Sequence, residues 1–180
     1  NKSLWRYSGK VQTPILEIAE NINGYLLSAP NVLITSRKRP LRSTTKIMDN
    51  GSKPTDNGFL SNLTNEDAQD IKDNDAIASK YLRRILGARE LIHNESRNCL
   101  WLVDIDPKEI RASKHLSARI ASVKEFREAS TDKQTKRDAA RSHEFQAIRQ
   151  PAERFLAIPR ITSEDRPYVP MAFLDKEVII

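Results

Sequence analysis

Length, composition and charge limit what this chain can be. It has 180 residues, 38% of them hydrophobic and 30% charged, which is typical of one globular domain rather than two. No apolar run approaches the roughly 20 residues that span a bilayer, so a membrane role is disfavoured. The single cysteine, Cys99, cannot form an internal disulfide, and no signal segment is present. We therefore expect a cytoplasmic protein, and the start at Asn1 suggests a piece of a longer polypeptide.

The charges are unevenly distributed. Lys and Arg number 30 against 24 Asp and Glu, a formal net charge of +6, and the pI is near 9.5. A positive potential favours anionic partners such as nucleic acid. The stretch 37–46 carries five cations and no acid, whereas 66–75 carries five acids and one lysine. Basic and acidic residues are therefore segregated along the chain.

The N-terminal stretch predicts little regular structure. Four apolar positions indicate a short helix before the Asn-Gly pair at 23–24: Val11, Ile15, Leu16 and Ile18. Residues 1–20 are interpreted as a linker or an N-terminal helix that precedes a domain over 21–180. The β-branched segment 31–36 predicts a strand that leaves the core toward a cationic loop.

The middle of the chain predicts a loop, two helices and a strand. Residues 49–58 contain two Asn-Gly pairs and predict a loop or hairpin tip. Thr64 predicts the N-cap of a helix that ends near Asp73. A second helix is expected to follow and to end at Gly87. Its apolar residues keep the i, i+4 spacing of one buried face: Ile77, Tyr81, Leu82, Ile85 and Leu86. The apolar run 98–104 predicts a central strand.

The C-terminal part predicts two more helices and two strands. Pro107 opens a short helix, and a longer one follows with a narrow apolar stripe of Leu116, Ile120, Val123 and Phe126. Residues 131–144 have almost nothing to bury and indicate an exposed helical extension or a mobile basic segment. Strands are expected at 154–162 and 168–174, joined by a polar turn. The whole pattern predicts an α+β fold, with a mostly antiparallel sheet and several packed helices in a single domain.

Catalytic and metal sites are not expected in this chain. The five glycines form no G-x-G or phosphate-loop spacing, and one cysteine with three separated histidines gives no local metal ligand set. Asp104 and Asp106 resemble paired carboxylates, but this pattern is more typical of a turn and a helix N-cap. His143 and Glu144 are sequence neighbours and do not face each other on a helix. We therefore predict no catalytic residue, no metal and no cofactor within these residues.

Basic side chains supply candidates for contact with a DNA backbone, which requires only cations and polar donors on one surface. These candidates are Arg37, Lys38, Arg39, Arg42, Lys53, Lys133, Lys136, Arg137, Arg141, Arg149 and Arg160. The turn at Ser163, Glu164 and Arg166 supplies candidates for base reading, because Arg can bind guanine and Glu can accept from cytosine. The alternatives are a solvated helix face for 133–141 and ordinary solvent-facing turn residues for 163–166.

Seven phrases of the sequence, in order, resemble one known family. They are 27–34 (LSAPNVLI), 36–41 (SRKRPL), 53–59 (KPTDNGF), 86–92 (LGARELI), 98–106 (NCLWLVDID), 149–151 (RQP) and 158–173 (IPRITSEDRPYVPMAF). Together they resemble the target-recognition region of the MmeI-like DNA methyltransferases, bacterial type II restriction–modification enzymes that join nuclease, methylase and recognition parts in one polypeptide. The resemblance spans roughly residues 20 to 180.

The resemblance implies a module that binds duplex DNA and positions a separate methylase domain over a flipped adenine, which is methylated at N6. The S-adenosylmethionine pocket and the catalytic motif would then lie elsewhere in the parent enzyme. It also implies that Glu164 and Arg166 are a base-reading pair. A domain that docks an acidic protein partner is the alternative that the basic segments leave open.

Overall fold

The computed structural model describes residues 1–7, 13–33, 35–38 and 48–180. These residues form two compact units, 1–48 and 49–180. No helix within the described ranges is long and apolar enough to cross a membrane. The candidate cations Arg37 and Lys38 are exposed, whereas Arg39 and Arg42 lie outside the described residues.

The first unit contains an antiparallel hairpin. Strand β1 (Lys2–Arg6) pairs with β2 (Ile15–Ala19), and Trp5 lies opposite Leu16. The helix expected here is wrong at Ile15, Leu16 and Ile18, which lie in β2, whereas Val11 lies outside the described residues. β-Branched Ile15 and Ile18 suit a pleated strand, and β1 supplies the hydrogen-bonding partner that local sequence does not reveal. The strand expected at 31–36 is also not formed by the described residues of that segment.

The second unit contains the remaining helices and strands. The helices are α1 (Asn65–Asn74), α2 (Ala76–Ser79), α3 (Ala88–His93), α4 (Pro107–Ala112), α5 (Lys114–Glu128) and α6 (Lys133–Arg137), the last followed by a 3-10 helix (Asp138–Arg141). The strands are β3 (Leu82–Ile85), β4 (Arg97–Leu100), β5 (Phe155–Ala157) and β6 (Ala172–Leu174).

Local capping explains why several helices begin where the sequence predicts. Thr64 Oγ1 accepts a hydrogen bond from Asp67 N at 3.0 Å, and Asp67 Oδ2 accepts one from Thr64 N at 3.0 Å, a reciprocal capping box that starts α1. Asp106 Oδ1 accepts from Lys108 N at 2.8 Å and caps α4, with Pro107 in its first turn. The predictions of α1, α4 and the Asp106 cap are confirmed.

The second predicted helix is a short helix followed by a strand. Helix α2 ends at Ser79, and β3 then pairs antiparallel with β4, with Arg83 opposite Cys99. A spacing of four residues places side chains on one face of a helix, but four is also an even number and keeps them on one face of a strand. Pairing with β4 decides between the two. Gly87 is correspondingly the N-cap of α3 and not a helix terminator.

Among the described residues, the strands form three separate two-stranded antiparallel sheets instead of one larger sheet. The segment before α1 runs along the other side of β4, where Leu100 N donates to Leu60 O at 2.8 Å. The predicted strand at 98–104 is therefore confirmed but ends at Leu100. The α+β class is confirmed, with a core that includes Leu60, Leu63, Ile71, Leu100, Leu102, Leu116 and Val123.

The loop at 49–58 ends in a tight turn organised by a buried carboxylate. Asn57 and Gly58 both have positive φ, 50° and 84°, a conformation that glycine and asparagine tolerate best. Asp56 is 2% exposed. One of its oxygens accepts from Leu60 N and Ser61 N, both at 2.7 Å, and the other accepts from Gly58 N and the Ser61 hydroxyl. Asp56 therefore fixes the entry of the chain into the core.

Replacing Asp56 by asparagine is expected to lower the free energy of unfolding by about 2–4 kcal/mol. Whichever way the new amide turns, two of the four donors face an NH2 group and lose their acceptor. Urea denaturation followed by circular dichroism measures the change. Asp49→Asn is the matched control, because Asp49 is exposed and, among the residues that the structure describes, accepts only from the neighbouring Asn50 N. Equal stabilities of the two variants would contradict the role given to Asp56.

Candidate nucleic-acid interface

A buried arginine organises the surroundings of the basic segment 133–141. Arg127, in the last turn of α5, is 0% exposed, and all five of its N–H donors reach backbone carbonyl oxygens. Nε donates to Thr55 O, Nη1 to Asp138 O and Arg141 O, and Nη2 to Pro54 O and Glu144 O, at 2.7–3.0 Å. Burial lowers the pKa of Arg127 from its ordinary high value.

The position of Arg127 differs from the expected helix pattern. The predicted apolar stripe of α5 is confirmed at Leu116 and Val123, which are fully buried, but Phe126 is 37% exposed. The next residue, Arg127, occupies the buried position in its place. Hydrophobic periodicity does not predict a buried arginine at this position. Arg127 is stabilised there by hydrogen bonds to carbonyl groups, most of which belong to segments distant in sequence.

The segment 131–144 is packed and is not an exposed extension. Four of its residues are buried, namely Thr135, Asp138, Ala139 and Ser142. Three of these are polar, so the segment is held by hydrogen bonds where the sequence offers no apolar stripe. The prediction of an exposed or mobile segment is therefore wrong for its inner face, although Lys133, Lys136 and Arg137 are exposed on the outer one.

Asp138 and Gln146 join this segment to the 53–55 loop. Gln146 Nε2 donates to Asp138 Oδ2 at 3.1 Å and to Thr135 Oγ1 at 3.2 Å, while its carbonyl oxygen accepts from the Thr55 hydroxyl at 2.8 Å. Arg141 Nη2 lies 3.1 Å from Asp138 Oδ1. Hydrogen bonds from Gln134, Arg141 and Gln146 hold the pKa of Asp138 below its ordinary value.

The 51–53 loop pairs with residues 147–149. Lys53 and Ala147 exchange backbone hydrogen bonds at 2.9 and 3.0 Å. Arg149 N donates to Ser52 Oγ at 2.9 Å, and its guanidinium reaches Gly51 O at 3.3 Å. Gly51 is required here, because a Cβ would lie 2.6 Å from the carbonyl carbon of Ile180. The structure therefore places Lys53 and Arg149 on neighbouring stretches of backbone.

Lys53 also lies near the start of α6. The pKa of Asp132, the N-cap residue, is lowered by hydrogen bonds from the Thr135 backbone and side chain and by the nearby charge of Lys53. Within the part of the chain that the structure describes, four exposed cations of this region have no carboxylate within ion-pair distance: Lys53, Lys133, Lys136 and Arg137. We call these four side chains the cationic surface.

Arg141 differs from the other backbone-contact candidates. Its guanidinium lies 3.1 Å from both Asp138 Oδ1 and Glu144 Oε2, so its charge is largely matched inside the protein. These hydrogen bonds raise the pKa of Arg141. Arg141 therefore has two carboxylate partners within the protein, and its contact with a DNA backbone stays a prediction.

The base-reading candidates lie in a turn between β5 and β6. Arg166 N donates to Ser163 O, and Asp165 N donates to Ser163 Oγ, both at 3.2 Å. Glu164 is exposed and Arg166 half-buried, and no ion pair joins their side chains to each other or to any other described residue. The turn is confirmed, but β5 and β6 are shorter than predicted, so 158–171 is an extended loop.

The loop carrying this turn is anchored at its base. Strands β5 and β6 pair antiparallel, and the Arg154 guanidinium stacks on the Phe173 ring at 5.1 Å. Gln150 Nε2 donates to Val178 O at 2.7 Å, and its carbonyl oxygen accepts from Ile180 N. Arg160 is exposed at the start of the loop. No hydrogen bond or ion pair among the described residues joins the turn to the cationic surface.

The remaining polar candidates are the Asp104–Asp106 pair and the His143–Glu144 pair. Asp106 is a helix cap, and Asp104 adopts positive φ at 59°, as the predicted turn requires. His143 Nε2 lies 3.7 Å from Glu144 Oε1, whose carboxyl also binds Arg141. The described residues contain no group of three side chains that could hold a metal ion.

Comparison with known proteins assigns the chain to a family. Residues 28–180 match the family model described as the MmeI target recognition domain. The chain is a member of the MmeI target recognition domain family. This match contains both the cationic surface and the turn at 163–166.

Two relatives extend the comparison. DNA methyltransferase A of Bacillus subtilis strain 168 is 29% identical over 164 residues, which cover 91% of this chain and 18% of that protein. A solved structure of the type IIL restriction–modification enzyme MmeI in complex with DNA matches with a TM-score of 0.86 and 38% identity, covering 99% of this chain and 24% of that one. The target recognition domain described here thus spans a quarter or less of each relative.

Acid is expected to weaken this recognition domain through Asp138. Because the folded-state pKa lies below the unfolded value of about 3.9, the unfolded chain binds the proton more readily. The stabilisation is therefore present above about pH 4 and lost as pH falls through the folded pKa. Urea unfolding at a series of pH values between about 6 and 3 should show a smaller decrease for Asp138→Asn than for the unmodified protein.

Asp165→Asn provides the control for this experiment, since its exposed carboxylate accepts no hydrogen bond from another described residue. Its pH profile should parallel that of the unmodified protein. If the stability of Asp138→Asn decreases with falling pH as much as that of the unmodified protein, other carboxylates determine the acid sensitivity.

Proposed function

We propose that this chain reads sequence in duplex DNA for a larger bacterial enzyme that methylates adenine at N6. The family match over 28–180 is the observation that carries the proposal, and the matched solved structure of MmeI contains DNA. Residues 21–180 are the recognition domain in this proposal, and the chain itself contributes no catalytic residue. A cytoplasmic location belongs to the same proposal, because the substrate would be cellular DNA.

The two candidate regions suit two different parts of DNA recognition. Phosphate contacts fix the position of a protein on the duplex but carry no sequence information, whereas base contacts supply specificity. The cationic surface offers four long, exposed side chains without internal ion partners, which suits the phosphate backbone. Arg149 and Arg160 are further backbone candidates, and Arg37 and Lys38 add exposed cations in the first unit.

Base reading is assigned to the turn at 163–166. The turn is closed by the backbone bond from Arg166 N to Ser163 O, and the side chains of Glu164 and Arg166 form no ion pair with another described residue. Arg can donate two hydrogen bonds to guanine, and Glu can accept from the cytosine amino group. Ser163 is assigned mainly to the turn, because its hydroxyl already accepts from Asp165 N.

Methyl transfer itself belongs to the rest of the parent enzyme in this proposal. S-adenosylmethionine would supply the methyl group from a pocket outside this chain, since the glycine-rich turn that such a cofactor requires is not found in these residues. The recognition domain would bind the duplex, set its register and hold the target adenine within reach of the methylase. The alternative of a domain that docks an acidic protein finds no support in the comparisons.

Binding to a duplex of mixed sequence is expected to depend steeply on salt. If the four side chains of the cationic surface each neutralise one phosphate, the slope of log K against log salt is about −3.6, so a fourfold rise in KCl weakens binding on the order of 100-fold. Fluorescence anisotropy with the full-length protein measures this slope. Absence of binding at low salt would overturn the proposed function.

Exchanging the base-reading pair tests specificity directly. In the full-length protein, Glu164→Arg combined with Arg166→Glu should change the base accepted at one position of the methylated site, because each good pair discriminates by about 1–3 kcal/mol. Sequencing that detects N6-methyladenine in genomic DNA measures the outcome. Glu153→Gln, an exposed acid before β5, is the control and should leave the site unchanged. Loss of methylation at every site would instead assign the pair a structural role.

A further inference from the structure

We propose that Arg127 is a positioning residue that holds the 53–55 loop and the 133–144 segment together as one phosphate-binding surface. This inference rests on the proposed DNA-binding function. Arg127 is fully buried and cannot touch DNA itself. It acts through Lys53 on one segment and through Lys133, Lys136 and Arg137 on the other.

The guanidinium joins parts of the chain that are far apart in sequence. Pro54 and Thr55 lie 73 and 72 residues before Arg127, whereas Asp138 and Glu144 lie 11 and 17 residues after it. The five N–H groups of arginine have a fixed planar geometry. The carbonyl groups that they bind are therefore held at defined spacings, and the cations carried on the same segments are held with them.

Arg127 suits this task because hydrogen bonds take the place of an apolar stripe in the segment. Three of the four buried residues between 131 and 144 are polar, and two of them, Thr135 and Asp138, belong to the network around Gln146. A buried cation is costly unless its hydrogen bonds are complete. An apolar side chain would fill the space but would remove all five hydrogen bonds. Pro54 O and Arg141 O would still accept from Gln146 N and Glu144 N, whereas the side-chain donor of the other three carbonyl groups would be lost.

The spacing of the cations matters because of what they would bind. Phosphates along a duplex recur at fixed distances, and a contact releases counterions only where a cation meets a phosphate. Loss of the hydrogen bonds between Arg127 and the two segments would therefore remove phosphate contacts, although the cations themselves remain. A general loss of stability would instead reduce the amount of active protein and leave the salt dependence of the folded fraction unchanged.

Arg127→Lys tests whether Arg127 holds the 53–55 loop and the 133–144 segment together, since lysine keeps the charge but has three donors in place of five. The probe is a mixed-sequence duplex of about 30 base pairs, titrated by anisotropy between about 50 and 200 mM KCl. If the three α6 cations lose their phosphates, the magnitude of the salt slope decreases by up to about 2.7. Circular dichroism and the unfolding transition report that the variant is folded.

A second comparison tests whether Arg127 acts through these cations. The triple variant Lys133→Gln, Lys136→Gln, Arg137→Gln should reduce the slope in the unmodified protein but change it little further in the Arg127→Lys background. The control triple, Lys72→Gln, Lys108→Gln, Arg111→Gln, removes exposed charges of α1 and α4 and should leave the slope unchanged.

The outcomes separate this inference from the proposed function. If the unmodified protein shows no salt-dependent binding, the proposed function fails. If it binds and folded Arg127→Lys keeps the full slope, or if the two sets of changes are additive, the inference about Arg127 is overturned and the function stands.

Should Arg127→Lys fail to fold, Gln146→Met decides the question. It removes three hydrogen bonds between the same two segments without removing a charge. A reduced slope in Gln146→Met supports the positioning role, and an unchanged slope contradicts it.

Discussion

The complete hydrogen bonding of one buried guanidinium is the constraint on which much of the second unit depends. A cation removed from water must find a partner for each donor, and Arg127 finds five carbonyl oxygens. Those oxygens come from the 54–55 loop, the 3-10 helix and Glu144, so these pieces converge on the end of α5. The turn at Asp56 and the strand-like pairing at Lys53 flank the 54–55 loop on its two sides.

The two regions assigned to DNA are built on different principles. The cationic surface depends on side-chain hydrogen bonds between distant segments, with Gln146 and Asp138 beside Arg127. The turn at 163–166 depends mainly on its own backbone and on the β5–β6 pair at its base. Phosphate contact requires charges at fixed separations, whereas base reading requires side chains that protrude and remain unoccupied. Each construction matches its proposed task.

Features that local sequence determines were predictable, and those that depend on distant partners were not. The caps at Thr64 and Asp106, the Asn57-Gly58 turn and the turn carrying Glu164 and Arg166 all follow from neighbouring residues. The apolar spacing of β2 and β3 also fits a helix, and their pairing partners, which lie elsewhere in the chain, decide their conformation. The packing of 131–144 and the burial of Arg127 were missed, since both replace apolar contacts by hydrogen bonds that hydrophobic periodicity does not report.

The closure of the 163–166 turn by main-chain atoms has an evolutionary consequence. Because Arg166 N and Ser163 O make the closing bond, the loop conformation does not depend on which side chains stand at 164 and 166. Glu164 is exposed, and substitutions at exposed positions usually change stability by less than about 0.5 kcal/mol. Descendants of such a domain can therefore diverge in what they select while the hydrogen bond that closes the turn is kept.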